Sequence, residues 1–100
     1  MNLYTFFLEY AGGTYISQVY ADDMLEAPTT WLETLNQEVI VNAGADFKHK
    51  LLESLEMNPT PLEDIENTWS FSGLIDDNLA LIHFTQTVKE VYKEENKKLV

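Results

Sequence analysis

Between Asn67 and Val88 the side chains alternate in kind on both sides of Asp76-Asp77, and that pattern leaves the chain little choice of structure. Alternation with period two is the mark of a strand with one buried face. Two such runs meeting at Asp and Asn, which tolerate left-handed backbone, make a hairpin. The expected strands are Thr68–Leu74 and Leu79–Val88, turning through Ile75-Asp76-Asp77-Asn78. Pairing about this turn sets Trp69 opposite Phe84, Phe71 opposite Ile82 and Gly73 opposite Ala80 on one face. The other face receives Ser70 with His83, Ser72 with Leu81 and Leu74 with Leu79. A slip of one residue would scatter the aromatic pairs between faces.

A second hairpin opens the chain. Leu3–Tyr10 alternates, Gly12-Gly13 supplies residues that accept positive φ, and Thr14–Ala21 returns. A turn centred on Gly12-Gly13 predicts Tyr10 opposite Tyr15, Leu8 opposite Ser17 and Phe6 opposite Val19 on the core face. Phe7, Ile16 and Tyr20 then share the opposite face with Thr5 and Gln18.

Helical spacing fills the middle. Asp23-x-x-Glu26 is compatible with a capping box, although Pro28 implies a loose opening turn or a helix that restarts there. Pro28, Trp31, Leu32 and Leu35 fall at i, i+3, i+4 and i+7, one buried stripe of a helix ending near Asn36. Gln37–Ala45 is consistent with a strand, a helical extension or a buried loop. Asp46–Met57 reads as a second helix with Phe47, Leu51, Leu52 and Leu55 inward, stopped by Asn58-Pro59-Thr60-Pro61. Leu62–Glu66 is a short acidic connector, and Thr87-x-x-Glu90 caps a third helix from Val88 onward. The fold expected is α+β in the order ββααββα: a single domain, residues 1–100, with an antiparallel sheet of about four strands and helices mainly on one face.

Charge bears on function. The net charge is −11, and the whole excess lies between Asp22 and Asp77, where thirteen acids face only Lys48 and Lys50. There is no arginine and no basic footprint, so direct nucleic-acid binding is disfavoured. An acidic surface suits a basic partner or simple solubility. A hydrophobic content of 45% argues against disorder. No apolar run approaches the roughly 20 residues of a membrane span. No basic leader with an apolar core is visible at Met1, so a signal peptide is not expected and a cytoplasmic location is. Cysteine is absent, which excludes disulfides and thiolate chemistry.

Motifs for chemistry are weak. His83 is a strand histidine near Ser70, Ser72 and Thr85, read first as a half-buried side chain bonded to a hydroxyl. His49 lies between two lysines on an exposed helix face, and the two histidines form no ligand pattern. Asp76-Asp77-Asn78 lacks calcium-loop spacing and is what a tight turn wants for itself. Glu63, Asp64 and Glu66 sit in a connector with no cleft for acid–base work, and Gly12-Gly13 is not a phosphate loop. No cofactor, metal site or catalytic residue is expected.

The stronger feature is the second sheet face, where Phe7, Ile16, Tyr20, Leu74, Leu79 and Leu81 point away from the core. Of these, Phe7, Ile16, Tyr20, Leu79 and Leu81, with the turn acids Asp76 and Asp77, are the candidate partner-binding set, either for another protein or for a second copy in a homodimer. Cover of this face by Asp46–Met57 or Gln37–Ala45 is the competing arrangement. The function expected is therefore a non-enzymatic protein–protein interaction module. The alternative is a small-ligand binder or enzyme with a pocket between sheet and helices near Trp31, Trp69 and His83.

Overall fold

The computed structural model describes residues 1–54 and 59–87. Its elements are strands β1 (Asn2–Tyr10) and β2 (Gly13–Ala21), helix α1 (Ala27–Thr34), a 3-10 turn (Gln37–Val39), helix α2 (Phe47–Ser54), and strands β3 (Thr60–Pro61), β4 (Thr68–Ile75) and β5 (Asn78–Thr87). The strands form one antiparallel sheet in the order β2-β1-β5-β4-β3. The class is α+β, as the patterning requires, but the sheet has five strands rather than four. The added strand, Thr60–Pro61, pairs with Ser70 and Trp69 in a stretch expected only to stop a helix. Pro61 has no N–H to donate, which is tolerable there because β3 is the edge of the sheet. The expected third helix and Leu55 lie outside the described residues.

The β4–β5 ribbon has the predicted pairing, with Trp69 opposite Phe84, Phe71 opposite Ile82, Gly73 opposite Ala80 and Leu74 opposite Leu79. Its two-residue turn puts Asp76 at φ 50° and Asp77 at φ 69°, the left-handed pair that matches the twist of the strands. The first ribbon differs from its prediction by two residues. Its turn is Ala11-Gly12, at φ 49° and 82°, so Tyr10 faces Gly13, Leu8 faces Tyr15, Phe6 faces Ser17 and Tyr4 faces Val19. A shift of two residues keeps every side chain on its expected face, since the faces repeat every second residue. The Tyr15 phenol occupies the space over Gly13, where a Cβ would lie 2.6 Å from its hydroxyl.

The core forms on one side of this layer. β1 and β5 are central, and Phe6 stacks on Phe84 with ring centroids 4.6 Å apart. Trp31 continues the stack beyond Phe6 at 5.1 Å, and Trp69 continues it beyond Phe84 at 5.2 Å. Tyr4, Leu8, Ala80 and Ile82 complete the buried row. Helix α1 presents Pro28, Trp31 and Leu32 to it, with Leu35 just beyond the helix end, and the indole Nε1 donates to Ser17 Oγ at 3.0 Å. The entry to α1 is loose: Asp23 Oδ1 accepts from the amides of Leu25 and Glu26, while Glu26 accepts from the Asp22 amide.

Helix α2 brings Phe47 edge-on to Tyr10 at 5.0 Å and buries Leu51. Leu52, expected inward, is half exposed. It lies about 100° round the helix from Leu51, outside the stripe that Phe47 and Leu51 share at i, i+4. The 37–45 stretch resolves into the 3-10 turn with Ile40 buried and Val39 and Val41 exposed.

Candidate interaction surface

Because Phe47, Leu51, Ile40, Trp31 and Leu35 all belong to one buried cluster with Tyr4, Phe6 and Tyr10, both helices and the 37–45 stretch lie on the same side of the sheet. The described parts of the two candidate covers, Gln37–Ala45 and Asp46–Ser54, do not lie over the second face. The registers place its side chains in rows across the strands. One row runs Thr14, Glu9, Leu81, Ser72; the next Ile16, Phe7, His83, Ser70; the next Gln18, Thr5, Thr85, Thr68. Leu79 and Leu74 pair at the turn end of β4–β5.

These rows separate the candidate residues into two apolar groups. Leu74, Leu79 and Leu81 gather at the corner near the second turn, with Leu74 and Leu79 58% and 56% exposed. Ile16, 63% exposed, pairs with half-buried Phe7 on the β1–β2 side. Glu9 and Thr14 lie between the groups, and a shallow concavity at this corner is lined by Glu9, Gly12, Thr14, Leu79 and Leu81 among others. Tyr20 stands farther along β2, opposite Leu3. Between them the Gln18 amide donates to Thr5 Oγ1, which also bonds Thr87, while Thr85 Oγ1 bonds Thr68 Oγ1 and the Asn67 carbonyl. The face is thus part apolar and part hydroxyl-lined, with the hydroxyls of Thr5, Thr68, Thr85 and Thr87 already hydrogen-bonded.

The turn acids behave differently from each other. Asp76 is held by Lys50 of α2 at 2.8 Å, and this bond, more than any other influence, raises the lysine above its ordinary pKa. Asp77 is exposed beside it. Lys48, the other lysine of the middle span, donates to the Glu33 carbonyl. Lys50 is therefore paired with one acid and Lys48 is bonded to a neutral carbonyl, and the thirteen acids of the span outnumber its two lysines.

His83 lies between Phe7 and Ser70 in its row, and its Nδ1 is buried with no hydrogen-bond partner among the described residues. The expected bond from this nitrogen to a hydroxyl is not made; Thr85 and Ser70 are its neighbours, but the threonine is committed to Thr68 and Asn67. His49 is paired with Glu53 on the exposed side of α2. The three residues named for the alternative pocket, Trp31, Trp69 and His83, do not line one cavity. The two indoles stand on the core side, joined through Phe6 and Phe84 in a filled stack, and His83 is on the other side of the sheet. Among the described residues no group of three or more His, Asp and Glu is placed to hold a metal, and no helix is long and apolar enough to cross a membrane.

No family model, no curated protein and no solved structure matches this chain.

Proposed function

We propose that this chain is a protein-interaction module whose docking surface is the open sheet face, with the acidic 22–77 span favouring a basic partner. The observation that carries the reading is one-sidedness: both described helices roof the aromatic face, while Ile16, Leu74 and Leu79 stay more than half exposed on the other. Large apolar side chains grouped on a rigid, hydrogen-bonded layer offer a partner area to bury without reordering the backbone. The uncompensated acids would speed the approach of a basic protein and disfavour an acidic one.

Affinity capture from the source cells tests both components. The bait is compared with a Leu79→Ser, Leu81→Ser variant, and each is washed at ~0.05 M and ~0.5 M salt, a range over which exposed charges become screened. A partner kept by the native chain and lost by the variant supports docking on the apolar corner. A partner lost at high salt supports the acidic surface. Binding indifferent to both, or no binding, removes the proposal.

A further inference from the structure

The sheet has two edges, and among the described residues only the β3 edge carries protecting devices. At the β3 edge the strand is two residues long and carries Pro61, devices that blunt strand addition. At the other edge β2 runs for nine residues, Gly13–Ala21, with neither proline nor charge. The two-residue Ala11-Gly12 turn makes Tyr10 and Gly13 a hydrogen-bonded pair, so bonded pairs alternate along the ribbon from there. The amides and carbonyls of Thr14, Ile16 and Gln18 consequently point away from β1, toward the outside of the sheet. No main-chain hydrogen bond among the described residues joins them to another segment.

We infer that the β2 edge pairs antiparallel with β2 of a second copy, joining two sheets into one continuous layer. This rests on the reading of the chain as an interaction module but assigns a different surface. Charge selects the occupant. Tyr10–Ala21, between Glu9 and Asp22, is the longest stretch of this −11 chain without an acid or a lysine. A basic partner gains most where acids are dense, whereas a second copy, itself strongly negative, meets least repulsion where they are missing.

The edge is also self-complementary. Antiparallel pairing about Ser17 puts that residue on the two-fold axis and Ile16 opposite the Gln18 of the other copy, twice. Residues 16 and 18 both direct their main-chain groups outward, so these are hydrogen-bonded pairs without adjustment of register. The two Asp22 side chains then fall at opposite ends of the seam, roughly 30 Å apart at about 3.3 Å per residue. That is well beyond the ~10 Å over which such charges act at 0.1 M salt.

Sedimentation equilibrium of the full chain from ~1 to ~300 μM should show a reversible, concentration-dependent shift from 11.5 kDa to twice that mass. Over the same range, hydrogen exchange at the Ile16 and Gln18 amides should slow by about tenfold or more, a readout that needs no variant. Ile16→Pro removes an outward N–H that β1 does not use and should leave a monomer. Ile16→Thr keeps the N–H and should leave the dimer intact. A monomer throughout overturns the inference, as does a dimer whose Ile16 and Gln18 amides exchange freely. Protection at those amides that does not change with concentration also overturns it. A dimer lost in Leu79→Ser, Leu81→Ser but kept in Ile16→Pro overturns edge pairing while leaving the open-face reading standing.

Discussion

The ring of Tyr15 lies directly over Gly13, two residues before it on the same strand and the same face. Its hydroxyl accepts a hydrogen bond from the Val41 amide at 2.9 Å, tying the edge strand to the stretch after the 3-10 turn. A methyl group on residue 13 would meet the phenol at 2.6 to 2.9 Å. Gly13→Ala is therefore expected to displace the ring and break the bond to Val41, lowering stability by about 1 kcal/mol, the net worth of one such bond. Tyr15→Phe should cost a similar amount, and the double variant less than the sum, because both remove one interaction. Urea denaturation of the four proteins checks this.

Phe84 touches the rings of Tyr4, Phe6, Trp69 and Phe71. Phe84→Ala opens the middle of that stack, and truncating a buried phenylalanine costs about 3–5 kcal/mol. In a domain whose total stability is on the order of 5–15 kcal/mol, a populated unfolded fraction is expected near physiological temperature. Thermal melting by near-ultraviolet circular dichroism would report it, and a shift of only a degree or two would contradict the central place given to this ring.

The Asp76-Asp77 turn holds two non-glycine residues at positive φ, a conformation that disfavours most side chains. Asp77→Gly relieves one of them and removes an exposed negative charge. The expected gain is about 0.5–1 kcal/mol, seen as a higher denaturation midpoint with an unchanged slope.

Burial pushes the Tyr4 phenol above its ordinary pKa, with nearby Asp23 adding to the rise and a hydrogen bond with Asn2 opposing it. The folded state thus holds this proton more tightly than the unfolded chain. The resulting stability is fully present below the unfolded value of about 10 and is lost as pH rises through the folded value. Stability should fall above pH ~10, and less steeply in Tyr4→Phe, which has no proton there to release. Denaturant midpoints at two or three alkaline pH values give the comparison.

The sequence carried the β4–β5 ribbon down to individual pairs, because its alternation and its two turn acids admit one register. It carried the faces of β1–β2 but not the pairing. Gly12-Gly13 is the pair that local propensity favours at positive φ, yet the turn is Ala11-Gly12, with Ala11 at φ 49° against its own preference and Tyr15 packed over Gly13, a contact visible only in three dimensions. The stripe Pro28, Trp31, Leu32, Leu35 was legible from spacing; Leu52 was misplaced because hydrophobicity alone does not say how wide a face a short helix buries. Two residues of β3 are too few to leave a periodic trace. For the candidate surface, alternation identified Phe7, Ile16, Leu79 and Leu81 as pointing away from the core. Their division into two corners depends on β1 lying beside β5, and strand order is not written in local pattern.

That neighbourhood of β1 and β5 has a consequence for synthesis. Each ribbon closes on itself within about twenty residues, yet the Phe6–Phe84 stack joins one ribbon to the other across nearly the whole described chain. A growing polypeptide would hold Tyr4, Phe6 and Leu8 without their β5 neighbours until Asn78–Thr87 has been made. Assembly of this layer therefore waits on β5, with long-range closure as its slow step.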